Sequence, residues 1–208
     1  MCLYLVNTTL SFTAYVPSSS GKSKIAPLEA SYPLIFPLSK QNATTNSFFN
    51  VGENGGDDGI TRVKLPNNAK AALVEVYASG TAQDEFWYTD VPNQFYEPIS
   101  SQASQIGLYP RGPLREIQVL IDDRLAGVAQ PFPVVFTGGI SPYLWRPQVA
   151  FGAYDQPTYY VDISPFLGSL SDDAEHKFQL KVVSAEKNQT ILSWFISGEC
   201  VCNEVCLV

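Results

Sequence analysis

The segment 131–167, PFPVVFTGGISPYLWRPQVAFGAYDQPTYYVDISPFL, constrains the fold of this chain more than any other. It carries nine aromatic residues and six prolines, and its only charged side chains are Arg146, Asp155 and Asp162. It cannot form one helix, because each proline removes a backbone donor and fixes φ at about −65°. It reads instead as short strands and rigid loops: Val134-Val135-Phe136, a Thr137-Gly138-Gly139 turn, a proline-bounded loop over 142–147 and a strand over 158–163. Trp145-Arg146-Pro147 stands at the centre, an aromatic plate beside a cation on a stiffened backbone. Loops held still by a scaffold are where binding and chemistry concentrate.

The rest of the chain has the same character. Fifteen prolines, fourteen glycines and a charged fraction of only 16% leave few helical windows and favour an all-β fold. Alternation predicts a strand over 10–16, a strand pair over 60–65 and 71–79, a strand over 177–183 and a closing strand over 189–197. Residues 48–51 are expected to pair with the short apolar piece 33–38 across a loop. A strand over 115–121, with Ile117, Val119 and Ile121 inward, meets Asp122-Asp123, a two-residue hairpin turn in which Asp123 must take a positive φ. Residues 91–110 read as a long polar loop wide enough to rim a cleft.

Charge and composition exclude several functions. A net charge of −7 argues against nucleic acid and against an anionic membrane surface. No apolar run reaches the roughly 18–20 residues of a membrane span. The loop GENGGDDG over 52–59 lacks the spacing of a calcium loop and reads as a solvated acidic turn. Cys2, Cys200, Cys202 and Cys206 lack a second ligand pair, so no metal site is expected. His176, the single histidine, stands in an acidic turn and reads as a surface residue rather than a triad base. Three N-glycosylation acceptors, at Asn7, Asn42 and Asn188, suit a secreted chain.

Candidate chemistry centres on Asp84-Glu85-Phe86-Trp87-Tyr88. In an extended chain successive side chains alternate, so only one of Asp84 and Glu85 faces a given cleft. A carboxylate beside Trp87 is partly desolvated, which raises its pKa and suits acid–base work. The bland alternative has Phe86 and Tyr88 in the core and both carboxylates in water. Arg115 and Glu116 likewise point opposite ways, one toward a cleft or both into a surface ion pair.

Three blocks in order, Glu85-Phe86-Trp87, Gly112-Pro113-Leu114-Arg115-Glu116 and the segment 137–167, resemble the peptide:N-glycanase A family of glycoamidases. The resemblance covers about 3–197. It implies an antiparallel jelly-roll-like β-sandwich over 31–197, a linker over 17–30, the last strand of a preceding β domain over 1–16, and a divergent tail over 198–208. It also implies hydrolysis of the amide between asparagine and N-acetylglucosamine in N-glycosylated peptides, without cofactor, in the secretory pathway or outside the cell. Glu85 would be the acid–base carboxylate and Arg146 the donor to carbonyl or sugar oxygens. Trp87 and Trp145 would be sugar plates, and Asp155 and Asp84 substrate contacts. Activity would be lost if an essential acid came from the preceding domain. The alternative is a non-catalytic β-sandwich that binds carbohydrate or glycopeptide, told apart by whether a second carboxylate faces Glu85.

Overall fold

The computed structural model describes residues 33–41, 47–135, 141, 143 and 156–204. The expected strand over 10–16, Trp145, Arg146 and Asp155 lie outside them, as do Cys2 and Cys206. Among the described residues nine strands form: β1 Leu34–Leu38, β2 Phe49–Val51, β3 Ile60–Val63, β4 Ala69–Gly80, β5 Arg115–Ile121, β6 Arg124–Ala129, β7 Tyr159–Asp162, β8 His176–Ser184 and β9 Trp194–Glu204. They make two antiparallel sheets. One runs β1-β9-β4-β7, with β2 also paired to β9, and the other runs β3-β8-β5-β6.

The alternation in the sequence sets which face of each sheet is buried. Ala72, Val74 and Val76 of β4 point inward from the first sheet, and Ile117, Val119 and Ile121 of β5 meet them from the second with Phe178, Leu180 and Val182 of β8. Each of the valine, isoleucine, leucine and phenylalanine side chains contributes about 1.5–3 kcal/mol when fully buried. The result is an all-β sandwich. The sheets approach closely at a position without a side chain. A Cβ on Gly198 of β9 would lie 2.6 Å from the Glu75 carbonyl and 3.2 Å from Leu180 Cδ1 of the opposite sheet. The Asp122-Asp123 turn has φ of 47° and 65°, as a two-residue hairpin of this twist requires.

Several pairings differ from expectation. The stretches 60–65 and 71–79 do contain strands, but β3 pairs with β8 while β4 lies between β9 and β7, in the other sheet. Phe49–Val51 pairs with β9 rather than with β1. A period of two identifies a buried face but not the neighbour, so proximity in sequence misled both assignments. Residues 91–110 are wound into consecutive short helical turns between Asn93 and Ile106. The segment set apart as a divergent tail is, as far as Glu204, the second half of β9, paired to β4 along its length and to β1. Cys200 and Cys202 there are fully buried and alternate with Val201 and Asn203, so cysteine acts as a small apolar core residue.

Candidate active site

The chain leaves β4 through two 3-10 turns, Ala82–Asp84 and Trp87–Thr89, so the extended alternation expected here does not apply. The first turn drives Asp84 inward and leaves Glu85 exposed. Asp84 Oδ2 accepts the backbone N–H groups of Leu192, at 2.7 Å, and Ser193, at 2.9 Å. Its Oδ1 accepts Arg115 Nη2 at 2.5 Å, and the same nitrogen donates to Asp90 Oδ2 at 2.6 Å. Arg115 Nη1 donates to the carbonyls of Gly112, at 2.7 Å, and Leu114, at 3.0 Å. Asp84, Asp90 and Arg115 are all buried. Arg115 thus reaches neither a cleft nor a surface partner, and Asp84 anchors the turn from inside.

Two carboxylates share one cation in this cluster. Burial pushes Asp90 up to about 8, with the Asp84 charge adding to the rise and Arg115 opposing it. The fold therefore biases Asp90 toward its protonated form. The second turn is held by packing: Trp87 is buried with its ring centroid 6.1 Å from that of Trp194 and 5.5 Å from that of Tyr88.

Glu85 opens onto a cleft lined also by Trp87, Trp194, Phe132, Gln156 and Tyr159. Being exposed, it lacks the desolvation expected of it; the desolvated carboxylates are Asp84 and Asp90. Burial raises the Tyr88 phenol, and the charge of Glu85 raises it further. Two hydrogen bonds fasten the chain beside the cleft. The Tyr88 hydroxyl donates to the Val134 carbonyl at 3.1 Å, and the Phe132 N–H donates to the Tyr159 hydroxyl at 2.8 Å. Val134 and Gln156, just before and just after the segment that carries Trp145, Arg146 and Asp155, both line the cleft.

Among the described residues Glu85 is the one carboxylate on the cleft wall, and no group of three or more His, Cys, Asp or Glu is placed to hold a metal ion. No described helix is long and apolar enough to cross a membrane. Trp194, Tyr159 and Phe132 were not singled out as site residues. Trp194 had one signal, an indole on the inward face of a strand. Its Nε1 is buried without a hydrogen-bond partner among the described residues.

Comparison with known proteins agrees with the motifs. A model of the family peptide N-acetyl-beta-D-glucosaminyl asparaginase amidase A matches residues 3–203. The peptide-N4-(N-acetyl-beta-glucosaminyl)asparagine amidase A of Prunus dulcis is 37% identical over 188 residues, covering 88% of this chain and 32% of that one. The chain thus spans about a third of that relative's length. Among solved structures, PNGase F, a glycosylasparaginase from Flavobacterium meningosepticum, is 15% identical with a TM-score of 0.49, over 83% of this chain and 52% of that one. PNGF-II is 14% identical with a TM-score of 0.44, over 84% of this chain and 30% of that one. With the family model covering nearly every residue, this chain belongs to the peptide N-acetyl-beta-D-glucosaminyl asparaginase amidase A family.

Proposed function

We propose that the chain is the Glu85-bearing sandwich of a glycoamidase that hydrolyses the amide between asparagine and N-acetylglucosamine in N-glycosylated peptides. Membership of the family supports the reaction class. One observation carries the site: the exposed carboxylate of Glu85 opens onto a cleft lined also by Trp87, Trp194 and Tyr159.

In this reading Glu85 accepts a proton from water as its oxygen adds to the amide carbon. The C–N bond then breaks and the departing nitrogen takes a proton, leaving an aspartate on the peptide and a glycosylamine on the glycan. Arg146 donates to the carbonyl or sugar oxygens as negative charge develops. Trp87 presents an edge to the sugar and Trp145 a second plate, while Asp155 bonds the glycan or Arg146. Asp84 acts from behind, by fixing the turn. The chemistry calls for no metal or organic cofactor, and the three N-glycosylation acceptors suit a secreted setting.

A second reading, sugar binding without hydrolysis, has one observation in its favour: Glu85 has no second carboxylate on the described wall of its cleft. Mass spectrometry of a denatured glycopeptide incubated with the chain at mildly acidic pH separates the two. Conversion of the glycosylated asparagine to aspartate, with release of the intact glycan, supports the glycoamidase. Retention of the glycan together with measurable glycan affinity supports binding alone.

A further inference from the structure

A groove on the outer face of the first sheet continues the Glu85 cleft. It is lined by Phe48, Tyr77, Ser79, Gln156, Phe195 and Ser197, and shares Ala78, Ser79 and Gln156 with the cleft. The register explains its floor. Ser79 lies opposite Phe195 and Tyr77 opposite Ser197, so all four point to the same, outward side of β4 and β9. An outward row on a sandwich strand is normally polar. Here Tyr77 is 43% exposed and Phe195 36% exposed, and the Phe48 and Phe195 rings lie with centroids 4.4 Å apart. Two aromatic faces are therefore held open to solvent beside short hydroxyl and amide side chains.

We infer that this groove is a second carbohydrate subsite, taking the distal sugars of a glycan whose asparagine linkage lies at Glu85. The inference rests on the glycoamidase reading for the placement of the linkage. The chemistry of the lining selects the occupant. Among the described residues no charged side chain lines the groove, which suits a neutral ligand. The apolar C–H faces of pyranose rings match flat aromatic rings, and their hydroxyls match Ser79, Ser197 and Gln156. Continuity with the cleft means that one extended ligand can occupy both. Beyond the groove, Glu75 and Glu199 act on the Tyr77 phenol, whose pKa is raised by burial and then by these two charges. An anionic occupant would be repelled at that end, so a neutral glycan is preferred over an acidic one.

The test uses one peptide carrying either a two-sugar chitobiose stub or an extended neutral oligomannose glycan, with Phe195→Ala and Tyr77→Ala chains. Each variant is expected to raise KM for the extended substrate about fivefold to tenfold, the scale of one lost aromatic contact, with kcat unchanged. The stub substrate should respond to neither variant, and Phe195→Tyr should behave as the unaltered chain. Equal losses on both substrates would overturn the subsite, as would a KM that follows peptide length instead of glycan length. Free oligomannose binding to the Glu85→Gln chain, followed by calorimetry, separates this inference from the one beneath it. Oligomannose affinity that falls with Phe195→Ala, together with an unaltered chain that releases no glycan from the glycopeptide, upholds the subsite and removes the glycoamidase. Hydrolysis that ignores both groove substitutions upholds the glycoamidase and removes the subsite.

Discussion

Arg115 Nη2 lies 2.5 Å from Asp84 Oδ1, one residue before the exposed carboxylate of Glu85. This buried pair joins β5 to the turn that presents Glu85 and, through Asp84 Oδ2, to the backbone before β9. Removing Asp84 takes one of its two carboxylates from buried Arg115 and leaves the Leu192 and Ser193 N–H groups without their acceptor, which together cost about 3–5 kcal/mol. Asp84→Ala is therefore expected to lower the free energy of urea unfolding by that amount. An effect below about 1 kcal/mol, the scale of an exposed pair, would contradict the buried anchor.

Asp90 gives the same cluster a pH dependence. Its folded pKa of about 8 lies above the ordinary 3.8. Its contribution to stability is thus fully present below about 3.8 and is lost as pH rises through about 8. Between these values the slope approaches about 1.4 kcal/mol per pH unit. Asp90→Asn, which keeps the shape and never ionises, should flatten this decline. Urea midpoints measured at pH 5 and pH 9 check it: the variant is expected to gain on the unaltered chain at the higher pH, and parallel curves would contradict the assignment.

His176, read from sequence as a surface residue, is instead buried at the start of β8, with Nδ1 2.7 Å from Asp122 and Nε2 3.0 Å from Asp172. The Asp122 hydrogen bond, against some desolvation, raises its pKa above 6.5, and the bond to Asp172 adds to the rise. Burial opposes ionisation of Asp122, but its bond to His176 prevails and lowers its pKa below 3.8. The backbone N–H of Ala174, then His176, lower Asp172 below the same value. The histidine's contribution is present below 6.5 and lost as pH rises through its raised pKa. That of the aspartates is present above 3.8 and lost as pH falls through their depressed values. Both act between those limits, so the thermal destabilisation caused by His176→Ala should be largest at mildly acidic pH and shrink at pH 9. A pH-independent difference in melting temperature would contradict the paired imidazolium.

Gly198→Ala tests whether β9 belongs to the core. The added methyl meets the Glu75 carbonyl and Leu180 of the facing sheet, and overpacking of this kind costs about 1–3 kcal/mol. An unchanged chemical-denaturation midpoint would mean that the sheets are further apart here than described.

The fold was legible where one residue type repeats with one period. Ile117, Val119 and Ile121, the Asp122-Asp123 turn and the buried row of β4 are all plain in the sequence, because alternation and turn chemistry are local. Partner choice is not local, which is why β3 and β4 were read as a pair although they lie in different sheets. Asp84 and Glu85 were recognised as the informative carboxylates, but an extended geometry was assumed for them. The 3-10 turns reverse the expected environments, burying the first and exposing the second. The ion cluster could not be seen in advance, because its members are separated by 31 and 25 residues in sequence and meet only when β5 docks. Cys200 and Cys202 were set aside because the segment from 198 departs from the family's pattern, whereas burial in β9 uses only the size of the cysteine side chain.

The central claim is that Glu85 performs the hydrolysis. The direct measurement is the rate of N-glycan release from a denatured glycopeptide at mildly acidic pH by the unaltered and Glu85→Gln chains, each verified as folded by circular dichroism. Because Glu85 is exposed and outside the core, the substitution should leave stability unchanged and lower kcat by about 10²–10⁴-fold, the contribution of a positioned acid–base group. Glycan release at an equal rate by both chains would contradict the account.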